Sequence, residues 1–540
     1  MKSVIVLGGY GGFGARLSRR LAADGWKVLI AGRRGEAARM LAASLPNAEG
    51  LVADRNENLS DLLRRHRPFL LIDAAGPFQS SDYRVIKCCI ANGVHYLDLA
   101  DARDFVRDIT TLDEAARSAG VVVVAGASSV PALSSAVVAK LAADFDEVQA
   151  ICLSISASSR SAAGASVTTA ILSTVGQPVP LWIGRAWQTK AGWQQLRHES
   201  YVVPGRRPLH RLVALADVPD HDLLPQTVSG RPATIFRAGP EFAFQLLGLW
   251  LLSWLVRWGV VRSTKEWGRW LSPLQRWTSR GSSERSAMAV ELKGKTAGDL
   301  VVCRWTLIAE QGDGPEIPTM AAQLIARAIR EGRLAHGARP ACGLLHLESF
   351  QALFAERAIT QDIKSRSYMP LYQRIMGERF TALPAPVRAI HAIVGDGGAS
   401  GIATVTRGKS LLANLIAKIV GFPPAGTHPV HVSFAEERGT EFWTRNFAGH
   451  SFSSRLSQSG EHLAERFGPL RFTFSLPSDA SGLTMVMRRW SLFGIRLPLR
   501  LAPQSAAREW AEGDDFVFDV PIALPMIGLI VHYRGRLRRL

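Results

Sequence analysis

The chain has 540 residues, too many for one hydrophobic core, and 47% hydrophobic with 20% charged residues is the composition of an ordinary folded protein. Its 64 Lys and Arg against 46 Asp and Glu give a formal net charge of +18, which favours contact with anionic partners. The basic residues are spread without a Lys/Arg block or a nucleic-acid-binding motif, so we expect no nucleic-acid partner.

The cysteines and the start of the sequence bear on location. Five cysteines occur without a CxxC motif or a cluster of metal ligands, so we expect no metal site. Their odd number is typical of a reducing compartment. The sequence begins with a predicted strand and shows no signal peptide, and we therefore expect a cytoplasmic location.

A buried strand is predicted at 3–7 (SVIVL), directly followed by a loop with five glycines and then by a helix. Strand, glycine loop and helix in this order form the dinucleotide-binding fingerprint. The motif G-x-G-x-x-G starts at Gly9 and the looser G-x-x-G-x-x-G starts at Gly8, so only the first glycine stays open. A bare backbone and a helix N-terminus can approach a pyrophosphate closely. The predicted cofactor-binding residues of this loop are Gly8, Gly9, Gly11, Gly12, Phe13 and Gly14.

The second predicted strand, at 26–34 (WKVLIAGRR), distinguishes between two cofactors. NAD-binding domains usually carry Asp or Glu at its end, where the carboxylate binds the ribose 2′-hydroxyl. Here that place holds Gly32, Arg33 and Arg34. Two guanidinium groups suit a 2′-phosphate, and the alternative is that one of them is merely solvated. The sequence therefore favours NADP (NADPH) over NAD.

The alternation of strands and helices continues along the chain. Further strands are predicted at 50–54, 68–73, 95–99 and 121–126. Six strands with crossover helices predict an α/β domain over residues 1–130, built on a Rossmann-type doubly wound parallel sheet. Asp54 follows the third strand, where it would meet the adenine. Ala75, Gly76 and Pro77 follow the fourth, on the side that usually holds the nicotinamide.

Three stretches resemble the saccharopine dehydrogenase-like NAD(P)-binding oxidoreductases. They are DAAGPFQSSDYRVIKCCIANGVHYLDLAD at 73–101, SSVPALSSAVV at 128–138 and DGPEIPTMAAQLIARAIREG at 313–332. The first contains a G-P-F loop, a helix with Cys and a Y-x-D-L strand, as members of that family do. The resemblance covers about the first 355 residues and implies an NAD(P)-linked redox fold. Because the family is broad, it implies no particular substrate.

The sequence offers two kinds of candidate catalytic group. Tyr83 and Lys87 form a Y-x-x-x-K pair on one helical face, where the ammonium would lower the phenol pKa; no serine partner is recognised upstream, and an ordinary helix surface is the alternative. Asp98 and Asp101 lie near the carboxyl end of the fifth strand, where either would face the cofactor. For these carboxyls the alternative is a structural role, such as bonding a loop backbone. The catalytic acid therefore stays open.

Residues 131–360 are predicted to form an α+β substrate domain, and the resemblance implies that it covers the nucleotide cleft. A strand is predicted at 149–158, a hairpin turn around 294–298 and a helix at 317–332, the last with a proline near its start and a glycine at its end.

A stretch within this domain, residues 242–261, is predicted to be a helix that is apolar almost all round. Trp250, Trp254 and Trp258 share one face, and basic residues follow up to residue 280. This pattern is typical of a helix in the headgroup region, so membrane-surface contact through 242–280 is one interpretation; burial between domains and a true span are the others. Surface contact would place the protein peripherally at the inner face of the membrane and would favour a lipid-like substrate.

Residues 366–540 are predicted to form an α+β domain in which helices pack on an antiparallel sheet. The region resembles a bacterial domain of unknown function that is found fused behind redox domains. The motifs that carry this resemblance are Trp443-Thr-Arg445-Asn-Phe447, Glu465-Arg-Phe-Gly468 and Tyr533-Arg-Gly535. A curved sheet of this kind would suit an apolar ligand.

These features together predict an NADP(H)-dependent oxidoreductase that acts by hydride transfer on an unidentified substrate, either a lipid-like molecule or another small molecule. A non-catalytic NADP(H)-binding sensor or scaffold is the first alternative, and a membrane-associated lipid-binding protein is the second. The pattern of residues predicts neither the oligomeric state nor the direction of the reaction.

Overall fold

The computed structural model describes residues 1–57, 59–79, 81–159, 165–261 and 281–540. The basic segment 262–280, which belongs to the predicted membrane contact, lies outside the described residues. Three large sheets, one in each predicted domain, organise the part of the chain that is described.

The first part of the chain alternates strands and helices as predicted, because most of its strands are short apolar runs and its longer helices are amphipathic. The strands are β1 (Ser3–Leu7), β2 (Lys27–Gly32), β3 (Ala48–Val52), β4 (Leu70–Asp73), β5 (His95–Asp98) and β6 (Val122–Ala125). The helices are α1 (Gly12–Ala23), α2 (Gly35–Ala43), α3 (Leu59–His66), α4 (Arg84–Ala91), α5 (Arg103–Arg107) and α6 (Asp113–Ser118).

The middle part confirms the predicted strand (β7), the hairpin (β13 and β14) and the late helix (α11), and it contains further elements that the sequence patterns did not indicate. Its strands are β7 (Glu147–Ala157), β8 (Pro178–Ile183), β9 (Ala186–Ala191), β10 (Arg197–Tyr201), β11 (Leu209–Leu215), β12 (Ala233–Pro240), β13 (Ser286–Thr296), β14 (Asp299–Ala309), β15 (Gly337–Pro340) and β16 (Ile359–Ser367). Its helices are α7 (Ser134–Ala142), α8 (Ala165–Thr174), α9 (Asp220–Leu223), α10 (Ala243–Arg257), α11 (Ile317–Arg330) and α12 (Glu348–Ala355).

The first sheet is parallel throughout the described chain, with seven strands in the order β15-β6-β5-β4-β1-β2-β3. The six predicted strands thus form the doubly wound order, whose switch point lies between β1 and β4. The edge strand β15 comes from far beyond residue 130. The segment before it packs against α1 through the ion pairs Arg20–Glu316 and Arg327–Asp24, both 2.8 Å. The carboxyl ends of β1, β2, β4 and β5 share one edge of this sheet, and their loops build the candidate site.

The middle sheet has the order β10-β11-β12-β7-β13-β14-β16, and β8 pairs with β9 in a separate ribbon. The helix predicted at 242–261 is α10, which packs one side on β11 and β12. Leu246 and Leu252 are buried there, while Phe244, Leu251 and Trp258 are exposed on the other side. This half-exposed position lies between the predicted alternatives of surface contact and burial. Among the described helices, none is long and apolar enough to cross a membrane.

The last part of the chain is dominated by antiparallel strands. Its helices are α13 (Leu371–Met376), α14 (Ala385–His391) and α15 (Leu411–Val420). Its strands are β17 (Asp396–Arg407), β18 (Gly426–Glu437), β19 (Thr440–Phe447), β20 (His450–Ser459), β21 (His462–Phe467), β22 (Leu470–Ser475), β23 (Ser478–Asp479), β24 (Gly482–Leu492), β25 (Ile495–Leu497), β26 (Ala506–Glu512), β27 (Asp515–Leu524) and β28 (Gly528–Arg539). The antiparallel sheet is therefore confirmed, and α13 ends at Gly377, which has a positive φ of 59°.

This sheet closes on itself. Successive strands pair from β17 to β22, β22 pairs with β24, and β28 pairs back with β17, so ten strands form a closed cylinder. The motif residues Trp443, Phe447 and Tyr533 belong to the buried cluster inside it. The predicted curved sheet is thus a closed one with a packed aromatic interior.

Buried polar contacts join the middle sheet to the closed sheet. Lys293 on β13 forms an ion pair with Glu436 on β18 at 2.9 Å, and both residues are 3% exposed. Asp396, at the start of β17, accepts a hydrogen bond from the Gly184 N–H between β8 and β9 at 2.9 Å. Since a buried charge is costly without its partner, these contacts fix how the two sheets meet.

Candidate functional site

The glycine loop between β1 and α1 is a tight turn in which backbone packs on backbone. Gly8 has a positive φ of 68°, and a Cβ on Gly9 would lie 2.8 Å from the Val6 carbonyl oxygen. A Cβ on Gly14 would lie 2.1 Å from the Gly8 carbonyl oxygen. Both glycine registers read from the sequence are therefore built into the turn, because Gly8 is required by its φ and Gly9 by its close contact.

The N-terminus of α1 opens onto the carboxyl end of β1. Gly11 caps the helix without a side-chain acceptor, and the first turn carries no acidic residue. A Cβ on Gly11 would meet only the Gly8 oxygen at 3.1 Å, and one on Gly12 would meet no atom within 4 Å. Phe13 follows, half-buried in the first turn. The free N–H groups and the positive end of the helix dipole thus face open space that suits a pyrophosphate.

Arg33 and Arg34 stand at the end of β2, next to the glycine loop, and both are exposed. Tyr10 of the loop lies against Gly32, and its hydroxyl accepts a hydrogen bond from the Arg34 N–H at 2.9 Å. The Arg34 guanidinium lies 5.1 Å from the centre of the Tyr10 ring. Among the described residues, neither arginine forms an ion pair, so both charges are available to an anion. Tyr10 was missed by the sequence reasoning, and its signal is an aromatic residue inside a glycine loop.

The residues after β3 reach toward the loop after β4. Asp54 is half-buried, and its Oδ1 accepts a hydrogen bond from the Asn56 N–H at 2.9 Å. Arg55, which the sequence analysis did not single out, pairs with Asp73 at 3.1 Å and donates to the Ala75 carbonyl oxygen at 2.8 Å. Burial raises the pKa of Asp73, and the Arg55 guanidinium opposes the rise. Arg55 therefore holds in place the loop that contains Ala75, Gly76 and Pro77.

Asp98, a predicted catalytic candidate, is fully buried at the end of β5. Its Oδ1 accepts hydrogen bonds from the Gly126 N–H at 2.7 Å and the Ala100 N–H at 3.0 Å. Burial raises the pKa of Asp98 to about 7, although these two N–H groups oppose the shift. The geometry therefore favours a structural role for Asp98 over a catalytic one, because its carboxyl group joins the loops after β5 and β6.

The remaining candidates differ in access. The Tyr83 hydroxyl donates to the Phe105 carbonyl oxygen at 2.9 Å, and burial together with the Asp108 carboxylate raises the pKa of Tyr83 to about 12. A Tyr–Lys catalytic pair requires a lowered tyrosine pKa, so the raised pKa of Tyr83 argues against this role. Lys87 is exposed, as on an ordinary helix surface. Asp101 is exposed and accepts a hydrogen bond from Gln79 at 2.9 Å. It bridges the loops that follow β4 and β5.

A buried ion cluster fixes the middle domain beside this edge. Arg103, at the start of α5, bonds Asp222 through its Nε at 2.7 Å and Asp217 through a terminal nitrogen at 3.1 Å. It also donates to the Pro180 carbonyl oxygen at 2.7 Å. Because α5 directly follows the loop that contains Asp101, this cluster positions the middle domain against one wall of the cleft.

A glycine turn and an open helix N-terminus lie at the carboxyl edge of a parallel sheet, beside two arginines that form no ion pair within the described part of the chain. This arrangement is typical of the dinucleotide-binding domains of oxidoreductases. Comparison with protein families agrees. Residues 4–124 match the family described as saccharopine dehydrogenase NADP binding domain, and residues 383–537 match DUF4166, a domain of unknown function. The chain carries a saccharopine dehydrogenase-like NAD(P)-binding oxidoreductase fold followed by that domain, as the resemblance implied. No curated protein matches the chain.

Comparison with solved structures gives several partial matches. The apo histidine-tagged saccharopine dehydrogenase (L-Glu forming) from Saccharomyces cerevisiae is 13% identical with a TM-score of 0.48, over 68% of this chain and 100% of that chain. GenD2 from gentamicin A biosynthesis, in complex with NAD, is 15% identical with a TM-score of 0.31, over 62% and 87%. The 3-hydroxyacyl-CoA dehydrogenase type-2 from Mycobacterium avium is 22% identical with a TM-score of 0.20, over 23% and 71%.

Replacing Gly11 tests the pyrophosphate position. Gly11 has a backbone that any residue adopts (φ −73°, ψ 178°), so we expect Gly11→Val to fold and to lose at least about tenfold in dinucleotide affinity, because the side chain fills the space above the helix N-terminus. Calorimetric titration with NADPH measures the loss. Gly248→Ala, at a helical position with no atom within 4 Å, is the matched control. Unchanged affinity in a folded Gly11→Val protein would refute the assignment.

Replacing Asp98 tests its structural role through pH. The raised folded-state pKa means that the proton on Asp98 stabilises the fold below about pH 4 and that this stabilisation is lost as pH rises through about 7. Asn keeps an oxygen for both N–H groups without the titration. Between pH 4 and 7 we therefore expect the free energy of unfolding to fall less in Asp98→Asn than in the parent, by up to about 4 kcal/mol. Denaturant unfolding at each pH gives this difference, and parallel pH profiles would contradict it.

Proposed function

We propose that this protein is an NADP(H)-dependent oxidoreductase that acts by hydride transfer on a small, lipid-like molecule. The observation that carries the proposal is the pair of exposed arginines, free of ion pairs among the described residues, beside a glycine turn with an open helix N-terminus. A bound nicotinamide supplies or accepts the hydride at a C=O, C=C or C=N bond of the substrate. The remaining proton is exchanged with an acid of the protein or with water, so the step balances.

The choice of NADP over NAD rests on charge at the end of β2. A ribose 2′-phosphate brings up to two negative charges to this place, and Arg33 and Arg34 offer two cations with no carboxylate between them. Tyr10 supports the second arginine through its hydroxyl and ring. A 2′-hydroxyl would find no acidic partner here, whereas a phosphate would be held by bidentate hydrogen bonds.

The reacting end of the cleft lies between the loops after β4 and β5. Arg55 fixes the Ala75–Pro77 loop from below, and the Asp101–Gln79 hydrogen bond spans the two loops at the surface. Of the two candidate carboxyls on the β5 side, Asp101 is the one with access to solvent and Asp98 is the one without it. We therefore assign proton exchange with the substrate to Asp101.

The lipid-like substrate class is supported by α10. Its exposed side presents Phe244, Leu251 and Trp258, and the ring centres of Trp254 and Trp258 lie 5.5 Å apart with the rings tilted. Aromatic and aliphatic side chains with basic residues after them are typical of contact with the headgroup region of a bilayer. Membrane-surface contact through 242–280, at the inner face of the membrane, belongs to the proposal for this reason.

The double variant Arg33→Ala/Arg34→Ala tests the cofactor. We expect the affinity for NADPH to fall at least about tenfold and that for NADH to change little, because the lost guanidinium groups contact only the 2′-phosphate. Calorimetric titration with each nucleotide measures both. Arg19→Ala removes an exposed charge from α1 and serves as the control. Equal losses for NADPH and NADH would overturn the phosphate assignment.

A second candidate is a non-catalytic NADP(H)-binding protein that acts as a sensor or scaffold. It is favoured by the hydrogen bonds that Asp98 and Tyr83 form to backbone groups, because these bonds leave fewer side chains for chemistry. Turnover separates the two functions. We expect NADPH absorbance at 340 nm to fall when the full chain is mixed with cellular lipid extract, and to fall more slowly with Asp101→Asn. Binding of NADPH without any oxidation would instead favour the sensor.

A further inference from the structure

The closed sheet of the last domain has two ends of opposite character. Because its neighbouring strands are antiparallel, every second connection lies at the same end. The connections at one end, which we call the apolar end, are 408–425, 448–449, 468–469, 493–505 and 525–527. The connections at the opposite end are 438–439, 460–461, 476–481 and 513–514.

Exposed apolar side chains gather at the apolar end. Between residues 396 and 540, all of which are described, thirteen large apolar residues are exposed, and nine of them lie in the connections of this end. The nine are Leu411, Leu412, Leu415, Ile419, Phe493, Ile495, Leu499, Leu501 and Met526. None of the thirteen lies in the connections of the opposite end. Exposed apolar patches of this extent mark interaction sites on folded proteins.

Helix α15 supplies four of these side chains and is firmly built. Its N-cap Ser410 accepts a hydrogen bond from the Ala413 N–H at 3.1 Å, and Gly421 ends it with a positive φ of 85°. Ala413 and Ala417 are fully buried against the closed sheet, so the opposite side of the helix faces outward. Leu411 is 90% and Ile419 76% exposed there. The apolar side is thus presented by a capped helix, with its small residues turned inward.

The other connections lie beside α15. The Gly408 N–H donates to the Ile530 carbonyl oxygen at 3.3 Å, which joins the start of the α15 segment to the β27–β28 hairpin. Gln504 and Ala523 exchange two backbone hydrogen bonds of 2.7 and 2.9 Å, which join the long 493–505 connection to the same hairpin. Met526 at the tip of that hairpin is fully exposed. The apolar residues therefore form one continuous end of the domain.

Charge separates the two ends as well. None of the five connections at the apolar end contains Asp or Glu, whereas Lys409, Lys418, Arg496 and Arg500 lie in them. The opposite end carries acidic residues in three of its four connections. Exposed apolar side chains with only cations in the same connections complement an anionic lipid surface, because Lys and Arg near the headgroups are attracted to lipid phosphates. A second copy seated on this end would bring cation against cation, which argues against self-association.

We propose that the apolar end of the last domain, centred on α15, docks the protein on the surface of an anionic lipid bilayer. The exposed leucine, isoleucine, phenylalanine and methionine side chains enter the headgroup boundary, and the surrounding lysines and arginines pair with lipid phosphates. This site is separate from the cofactor cleft and from α10, so it holds whether or not the protein catalyses hydride transfer.

Vesicle sedimentation with the full chain tests the proposal. We expect binding to phosphatidylcholine vesicles that contain phosphatidylglycerol, weak binding to pure phosphatidylcholine, and release at high salt. The variant Leu411→Gln/Leu415→Gln/Ile419→Gln keeps good helix formers at exposed positions, and we expect it to bind the anionic vesicles at least about tenfold more weakly. Lys409→Gln/Lys418→Gln is expected to weaken binding to anionic vesicles without changing binding to neutral ones.

A matched variant on α10 separates the two surfaces. Phe244→Gln/Leu251→Gln/Leu255→Gln removes three exposed apolar residues from that helix. In this background we expect the α15 substitutions still to weaken binding to anionic vesicles. The circular dichroism spectrum and the unfolding midpoint of each variant should match those of the parent, which confirms that the variants are folded. The proposal is overturned if the parent binds no anionic vesicle, if the α15 variant binds as the parent does, or if light scattering shows a dimer that the α15 variant dissolves in the absence of vesicle binding.

Discussion

The nucleotide site depends on one close approach of backbone to backbone. Gly14 in α1 lies so near the Gly8 carbonyl that a side chain at residue 14 would sit 2.1 Å from that oxygen. This contact brings the first turn of α1 onto the end of β1, so that its N–H groups and dipole face the crevice at the switch point of the sheet. The arginines at the end of β2 and the loop held by Arg55 can contribute to a nucleotide site only because the N-terminus of α1 lies between them at this edge of the sheet.

Buried charges hold the three sheets in a fixed relation. Arg103 with Asp217 and Asp222 joins the first sheet to the middle one, and Lys293 with Glu436 joins the middle one to the closed sheet. Such pairs contribute little to the net free energy of folding. Loss of only one partner is costly, however, because it leaves a buried charge unpaired, and the pairs therefore favour one arrangement of the sheets. Buried ion pairs therefore fix both the wall of the cleft, through Arg103, and the position of the closed sheet that carries the apolar end, through Lys293.

The sequence predicted the parallel sheet well because five of its strands, β1, β2, β4, β5 and β6, are short and mostly apolar runs that both faces bury. It did not reveal β15, whose four residues (GARP) include Arg and Pro and resemble a loop. Closure of the last sheet depends on pairing of β28 with β17, more than a hundred residues apart, which no local pattern contains. The spacing of residues along the sequence predicted the glycine loop and Arg33. The contacts of Tyr10 and Arg55 and the burial of Asp98 could not be predicted in this way, because they depend on residues from other strands.

The late arrival of β15 has a consequence for synthesis. The first six strands of the nucleotide sheet are complete by residue 125, but the edge beside β6 stays open until residues 337–340 have left the ribosome. Helix α11, which covers α1 through Arg327 and Asp24, comes just before. During translation the growing chain therefore carries an unpaired parallel edge for about two hundred residues, a state in which other strands can add to it.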